Sequence, residues 1–167
     1  MQRSGFLTLS LVAVVLACGT SVPEGWKELV PTEGLSKALE LEPMALPGEG
    51  SADSLLAFYS REKVDASTLR QAFRDKIEAA GYTRIFECPE APSDAGKDAP
   101  SDGYGKGPKG YVEVSIVPLT DEDWDVRVTK TDKLISIELP ERADCKWLPE
   151  AADYCVGGMP SSSCETK

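Results

Sequence analysis

"VDASTLRQAFRDKIEAAGY", residues 64–82, carries the clearest structural signal in the 167-residue chain. Asp65 can cap a helix, because its carboxylate accepts the N–H groups that a first turn leaves free. Val64 before the cap and Leu69 inside the helix match a hydrophobic staple. Leu69, Ala72, Phe73, Ile77 and Ala80 recur at three- and four-residue spacing and make one apolar stripe, with Lys76 at its edge. Gly81 stands where a glycine at C′ closes a helix. One helix with one apolar stripe needs a sheet to bury it, so the flanking strands decide the fold.

Those strands are read on both sides of the helix. SLLAFY, residues 54–59, is a short apolar and aromatic run that fits a buried strand. YTRIFEC, residues 82–88, reads as a strand after the helix. YVEVSIVP, residues 111–118, alternates through Val112, Val114 and Ile116, and WDVRVTK, residues 124–130, alternates through Trp124, Val126 and Val128. LISIEL, residues 134–139, repeats the pattern and would complete a meander. Residues 89–110, rich in Pro, Gly, Asp, Lys and Ser, read as a mobile surface loop. The expected fold is α+β: a two-layer sandwich with one amphipathic helix on a mostly antiparallel four- to five-stranded sheet, in the order β-α-β-β-β-β, with a disulfide-rich C-terminal tail.

The chain begins MQRSGFLTLSLVAVVLACGT. Arg3 is its only early charge, and residues 5–17 are apolar or small and polar. That run is short of the roughly 20 residues a membrane span requires. A charged start, a short apolar middle and a small residue before the cut describe a secretory signal. Val15-Leu16-Ala17-Cys18 resembles the lipobox of bacterial lipoproteins. The resemblance implies cleavage before Cys18, a diacylglyceryl thioether on that cysteine and often an N-acyl chain. Several acyl chains hold a protein at a membrane where one does not. Gly19 follows in place of the Asp that often retains such proteins in an inner membrane, so an outer-membrane address is expected where two membranes exist. An ordinary secretory signal is the alternative.

On this reading residues 1–17 are a signal peptide and 18–50 a lipidated N-terminus and tether, punctuated by Pro23, Pro31, Pro43 and Pro47. Residues 51–140 are the α+β domain and 141–167 the tail. Within the tether, residues 35–41 could form a short helix or a strand. Losing the first 17 residues removes only Arg3 among the charged groups, taking the net charge from −10 to −11. A net negative chain has no general attraction for nucleic acid or anionic headgroups. The expected partners are the membrane, through the lipid on Cys18, and an envelope protein or polymer.

Histidine is absent, which excludes Ser-His and Cys-His catalysis and removes the commonest metal ligand. After Cys18, four cysteines remain: Cys88, Cys145, Cys155 and Cys164. An even number in an exported chain reads as two disulfides, with at least one pair involving two tail cysteines. Their spacing has no CxxC pair and suits a metal poorly. Ser60 and Lys63 match an S-x-x-K spacing, but the S-D-N and K-T-G partners of that enzyme class are missing. GYGKGPKG, residues 103–110, lacks the phosphate-loop spacing. Asp121, Asp123 and Asp125 alternate like the first calcium ligands of a loop that also wants Gly sixth and Glu twelfth. Val126 and Asp132 stand there instead, so a solvated acidic turn is the better account and weak calcium binding the alternative. Trp124 reads as core, and Trp147 as a possible ligand contact. No metal or cofactor is expected.

These observations point to a lipid-anchored envelope protein with a small non-catalytic binding or assembly domain. A carboxylate-dependent enzyme acting on the cell wall is the alternative, since two acids brought together by folding need leave no sequence signature. An inhibitor or sensor domain for another envelope protein is a third reading.

Overall fold

The computed structural model describes residues 21–46, 50–89, 100–117, 120–133, 136–139, 144–158 and 163–166. The strands are β1 (Leu35–Leu46), β2 (Gly50–Ser60), β3 (Thr83–Cys88), β4 (Ser101–Lys106), β5 (Gly110–Val117), β6 (Asp123–Thr131), β7 (Ser136–Glu138), β8 (Lys146–Trp147) and β9 (Ser163–Glu165). Helix α1 (Ala66–Ala79) joins β2 to β3, and a short helix α2 (Ala151–Tyr154) lies in the tail. The main sheet has seven strands in the order β1-β2-β6-β5-β4-β3-β8, and β7 pairs with β9 in a second, two-stranded sheet. Every pairing is antiparallel. The α+β class holds, with a larger sheet than the four to five strands expected.

Helix α1 forms as its sequence dictates. Asp65 accepts a hydrogen bond from the Thr68 amide at 2.9 Å, and Gly81 takes φ +86° just past the last turn. Leu69, Phe73 and Ile77 are buried against the sheet, each side chain contributing about 1.5–3 kcal/mol of apolar burial. They meet Leu55, Ala57 and Tyr59 of β2, Val112, Val114 and Ile116 of β5, and Val126 and Val128 of β6. The strand register explains the match: Leu55 lies opposite Val128, Ala57 opposite Val126, and Val114 opposite Val128. All of these therefore share one face.

Three expectations are corrected. The tether assigned to residues 18–50 is packed structure over 21–46. Trp26, 1% exposed, and Val30 sit in the helix-side core, and the Tyr59 hydroxyl donates to the Pro31 carbonyl at 2.7 Å. Residues 35–46 are the edge strand β1, whose register shifts between Leu41 and Met44. Pro43 falls in that irregularity, where a missing N–H costs no ladder bond.

The loop assigned to residues 89–110 contains β4, and residues 90–99 lie outside the described residues. Glycine made β4 look like a loop, yet the packing requires it. The Phe86 ring lies where a Cβ on Gly103 would be, and the Tyr154 ring does the same at Gly105.

The expected meander ends at its first hairpin, β5–β6. The third run leaves the main sheet, and its Ser136–Glu138 portion pairs with β9. Leu134 and Ile135 lie outside the described residues.

The tail folds over the β3–β4–β5 end of the sheet on the side away from α1. Its cluster joins Phe86 and Tyr111 to Ile137, Ala151 and Tyr154. Disulfides Cys88–Cys145 and Cys155–Cys164 staple it, and the Tyr154 hydroxyl donates to the Gly110 carbonyl at 2.7 Å.

Candidate functional site

Strand alternation that sends Val112, Val114 and Ile116 toward α1 sends Tyr111, Glu113 and Ser115 to the opposite face. On β6 the same alternation places Arg127, Thr129 and Thr131 beside them, with Glu113 opposite Thr129 and Ser115 opposite Arg127. These residues floor a groove of about 400 Å³. Met44 of β1 and Ala52 of β2 wall one side, and β7 walls the other through Ser136, Ile137 and Glu138. The groove thus lies between the half of the back face that is uncovered among the described residues and the stapled tail.

Its electrostatics centre on Glu113. The Tyr111 hydroxyl donates to Glu113 Oε2 at 3.0 Å. Burial lifts the Glu113 carboxyl above its ordinary value, while the Tyr111 hydrogen bond and the Arg127 charge pull the other way without prevailing. Burial also pushes the Tyr111 hydroxyl well up, and the neighbouring Glu113 charge adds to that, so Tyr111 stays a donor at neutral pH. Ser54 and Thr129 hydroxyl oxygens stand 3.2 Å apart, and the Thr131 hydroxyl donates to the Ser51 carbonyl at 2.8 Å. A second hollow of about 410 Å³ lies between Gly105, Pro108 and Tyr154. Size does not separate the two. The first combines apolar walls with convergent polar groups and a shifted carboxyl, the combination that marks ligand sites.

A second charged cluster is structural. Arg70 and Arg74 of α1 each grip Asp102 of β4 with two hydrogen bonds, at 2.8 and 2.8 Å and at 2.9 and 3.0 Å. The Asp102 side chain is 3% exposed. Its burial alone would raise its pKa, but the two guanidiniums hold it below the ordinary carboxylate value. Glu87 extends the network to Arg84 at 2.9 Å and Lys146 at 3.1 Å. These bonds fix α1 to β4, β3 and β8. An Arg pair spaced i, i+4 beside the apolar stripe is visible in the sequence, whereas Asp102 is hidden in a Gly-rich stretch.

The residues singled out from sequence fall as follows. Cys18 lies outside the described residues. The four other cysteines are paired, one bond tying the tail to Cys88 and one closed within it. Trp147 is half-buried on β8, edge-on to Phe86 with ring centroids 5.9 Å apart, and it does not line the groove. Trp124 packs against the core, donates to the Val64 carbonyl at 2.9 Å and carries Arg61 over its ring. Asp121 is exposed before β6, while Asp125 is buried between Phe58 and Val117 in the sheet. Among the described residues no group of three or more Cys, Asp or Glu side chains is placed to hold a metal ion. Glu113, Arg127 and the hydroxyls around them escaped sequence reading, because they occupy the polar positions of alternating strands and resemble an ordinary solvated face.

By fold and site, the chain is a disulfide-stapled α+β sandwich with a groove on the sheet face turned away from its helix. Set against family models, curated proteins and solved structures, it matches none of them.

Proposed function

We propose that this is a lipid-anchored cell-envelope protein whose small domain binds a ligand without transforming it. Cys18 is the lipid site and the back-face groove is the binding surface. The conjunction of the lipobox, Val15-Leu16-Ala17-Cys18, with two disulfides carries the address, since disulfides persist in oxidising, exported compartments. The groove, with Glu113 at its floor, supports the binding role. Gly19 favours the outer membrane where two are present. The partner is an envelope protein or polymer.

Cys18→Ser tests the anchor. The wild-type protein should carry an acyl mass and fractionate with membranes, and the variant should do neither. Wild-type protein without acyl mass, free outside the cell, would contradict the anchor.

One observation favours a carboxylate-dependent enzyme on cell-wall polymer: Glu113 has a raised pKa inside a groove, as a general acid requires. Against it, the other carboxylate lining the groove, Glu138, is exposed at the rim. Incubation with isolated cell-wall glycans and peptides separates the two. Product that disappears in Glu113→Gln makes the protein an enzyme, and saturable binding without product supports a binding domain.

A further inference from the structure

Glu113 and Arg127 are diagonal neighbours on adjacent strands, sharing one face. Such positions lie about 7–8 Å apart, close enough for side chains this long to meet. An ion pair would be the ordinary outcome, yet they do not form one. Glu113 takes its hydrogen bond from Tyr111, and Arg127 Nη2 turns to Met44 Sδ at 3.9 Å. Among the described residues no carboxylate lies within ion-pair distance of Arg127. Both side chains reach solvent, Arg127 the more exposed, and among the described residues neither has a hydrogen-bonded partner of opposite charge. Both line the same groove.

The geometry points to a zwitterionic ligand in this groove: an amino acid or a short unblocked peptide, its ammonium at Glu113 and its carboxylate at Arg127. This rests on the reading of the groove as a binding surface, and it makes a small ligand, rather than the envelope protein or polymer, the occupant of that groove. A ligand with one charge would satisfy one group and leave the other unpaired. Thr129 lies opposite the acid in the strand register, and its hydroxyl, hydrogen-bonded to Ser54, can accept a further hydrogen from the ammonium. Met44, Ala52 and Ile137 provide an apolar wall for small side chains. About 400 Å³ lies at the small end of ligand cavities and holds one or two residues rather than a folded partner. Half-burial strengthens the attraction of Glu113 for a cation relative to an exposed acid.

The test uses the full chain, ¹⁵N-labelled in detergent, titrated with the dipeptide Ala-Ala and followed by NMR. The account expects saturable shifts in the amides of β5 and β6. N-acetylation or C-amidation of the dipeptide should each weaken binding about tenfold or more. Glu113→Gln should abolish the effect of acetylation and keep that of amidation. Arg127→Gln, at an exposed position, should do the reverse, and this crossed pattern does not follow from a general loss of folding. Equal binding of free and capped dipeptides in the groove would overturn the zwitterion and leave the groove a binding site. No shift in β5 or β6 at tens of millimolar dipeptide would overturn the zwitterion as the groove's occupant, while the envelope protein or polymer proposed above would stand.

Discussion

On the side of the sheet that faces α1, Leu69, Phe73 and Ile77 lie over aliphatic residues of three strands, and two arginines lock the helix to a buried Asp102. On the other side, glycines at 103 and 105 let Phe86 and Tyr154 settle onto the sheet, and two disulfides hold the tail that carries Tyr154. The first side is filled by burial along a periodic pattern. The second is half-covered by a stapled segment, and the gap left at its border is the groove. A small domain can thus keep one face for stability and leave part of the other for a ligand. The cost shows in the exposed Leu39, Leu41 and Met44 of the edge strand beside that gap.

Substitution in the packed face should have the largest effect. Phe73→Ala removes a ring that is 1% exposed and stacks edge-on with Tyr59 at 5.7 Å. It should cost about 3–5 kcal/mol, lowering the denaturant midpoint for the whole chain, read by circular dichroism. A loss below about 1 kcal/mol would show that the helix side is not where stability resides.

Removing the staple nearest the groove should cost less and act locally. Cys155→Ala with Cys164→Ala opens a loop of 9 residues' separation, for which loop entropy predicts about 2.6 kcal/mol. Hydrogen exchange should rise in β7 and β9 and stay unchanged in α1. An equal rise in α1 would erase the distinction between the two sides.

The smallest effect, and the one with a sign, is on pH dependence. Glu113 has a raised pKa in the folded chain, so the folded state binds its proton more tightly than the unfolded one. Its contribution is complete below the unfolded value of about 4.3 and is lost as pH rises through the folded value. Asp102 is lowered, so its contribution is present above about 3.9 and is lost as pH falls through its folded value. Glu113→Gln should therefore flatten the decline in stability on the high-pH side of the carboxylate range. Asp102→Asn should flatten the decline on the low-pH side. Unfolding curves from pH 2 to 8 would show it, and a Glu113→Gln profile parallel to the wild type would contradict the groove electrostatics.

Sequence legibility follows the same division. The stripe of α1, its Asp65 cap, its Gly81 stop and the alternation of β5 and β6 were all readable, because burial on one face imposes a period. β4 was not, since its pattern is set by rings lying over glycines rather than by its own side chains. β1 was obscured by Pro43, which falls where its register is irregular. β7 was readable as a strand but not its partner, because β9 is brought to it by a fold-wide arrangement that includes the 155–164 bond. The groove was least legible. Glu113 and Arg127 become notable only when the register makes them diagonal neighbours that fail to pair.

The division between the two sides is tested most directly by hydrogen exchange on the full chain before and after mild reduction of both disulfides. The account predicts that Ala66–Ala79 and the helix-side residues of β2 and β6 keep their protection, while Ser136–Glu138, Lys146–Trp147 and Ala151–Tyr154 lose theirs, as separable cooperative units do. Loss of protection in α1 in step with the tail would contradict it, because the sheet would then depend on the staples as a whole.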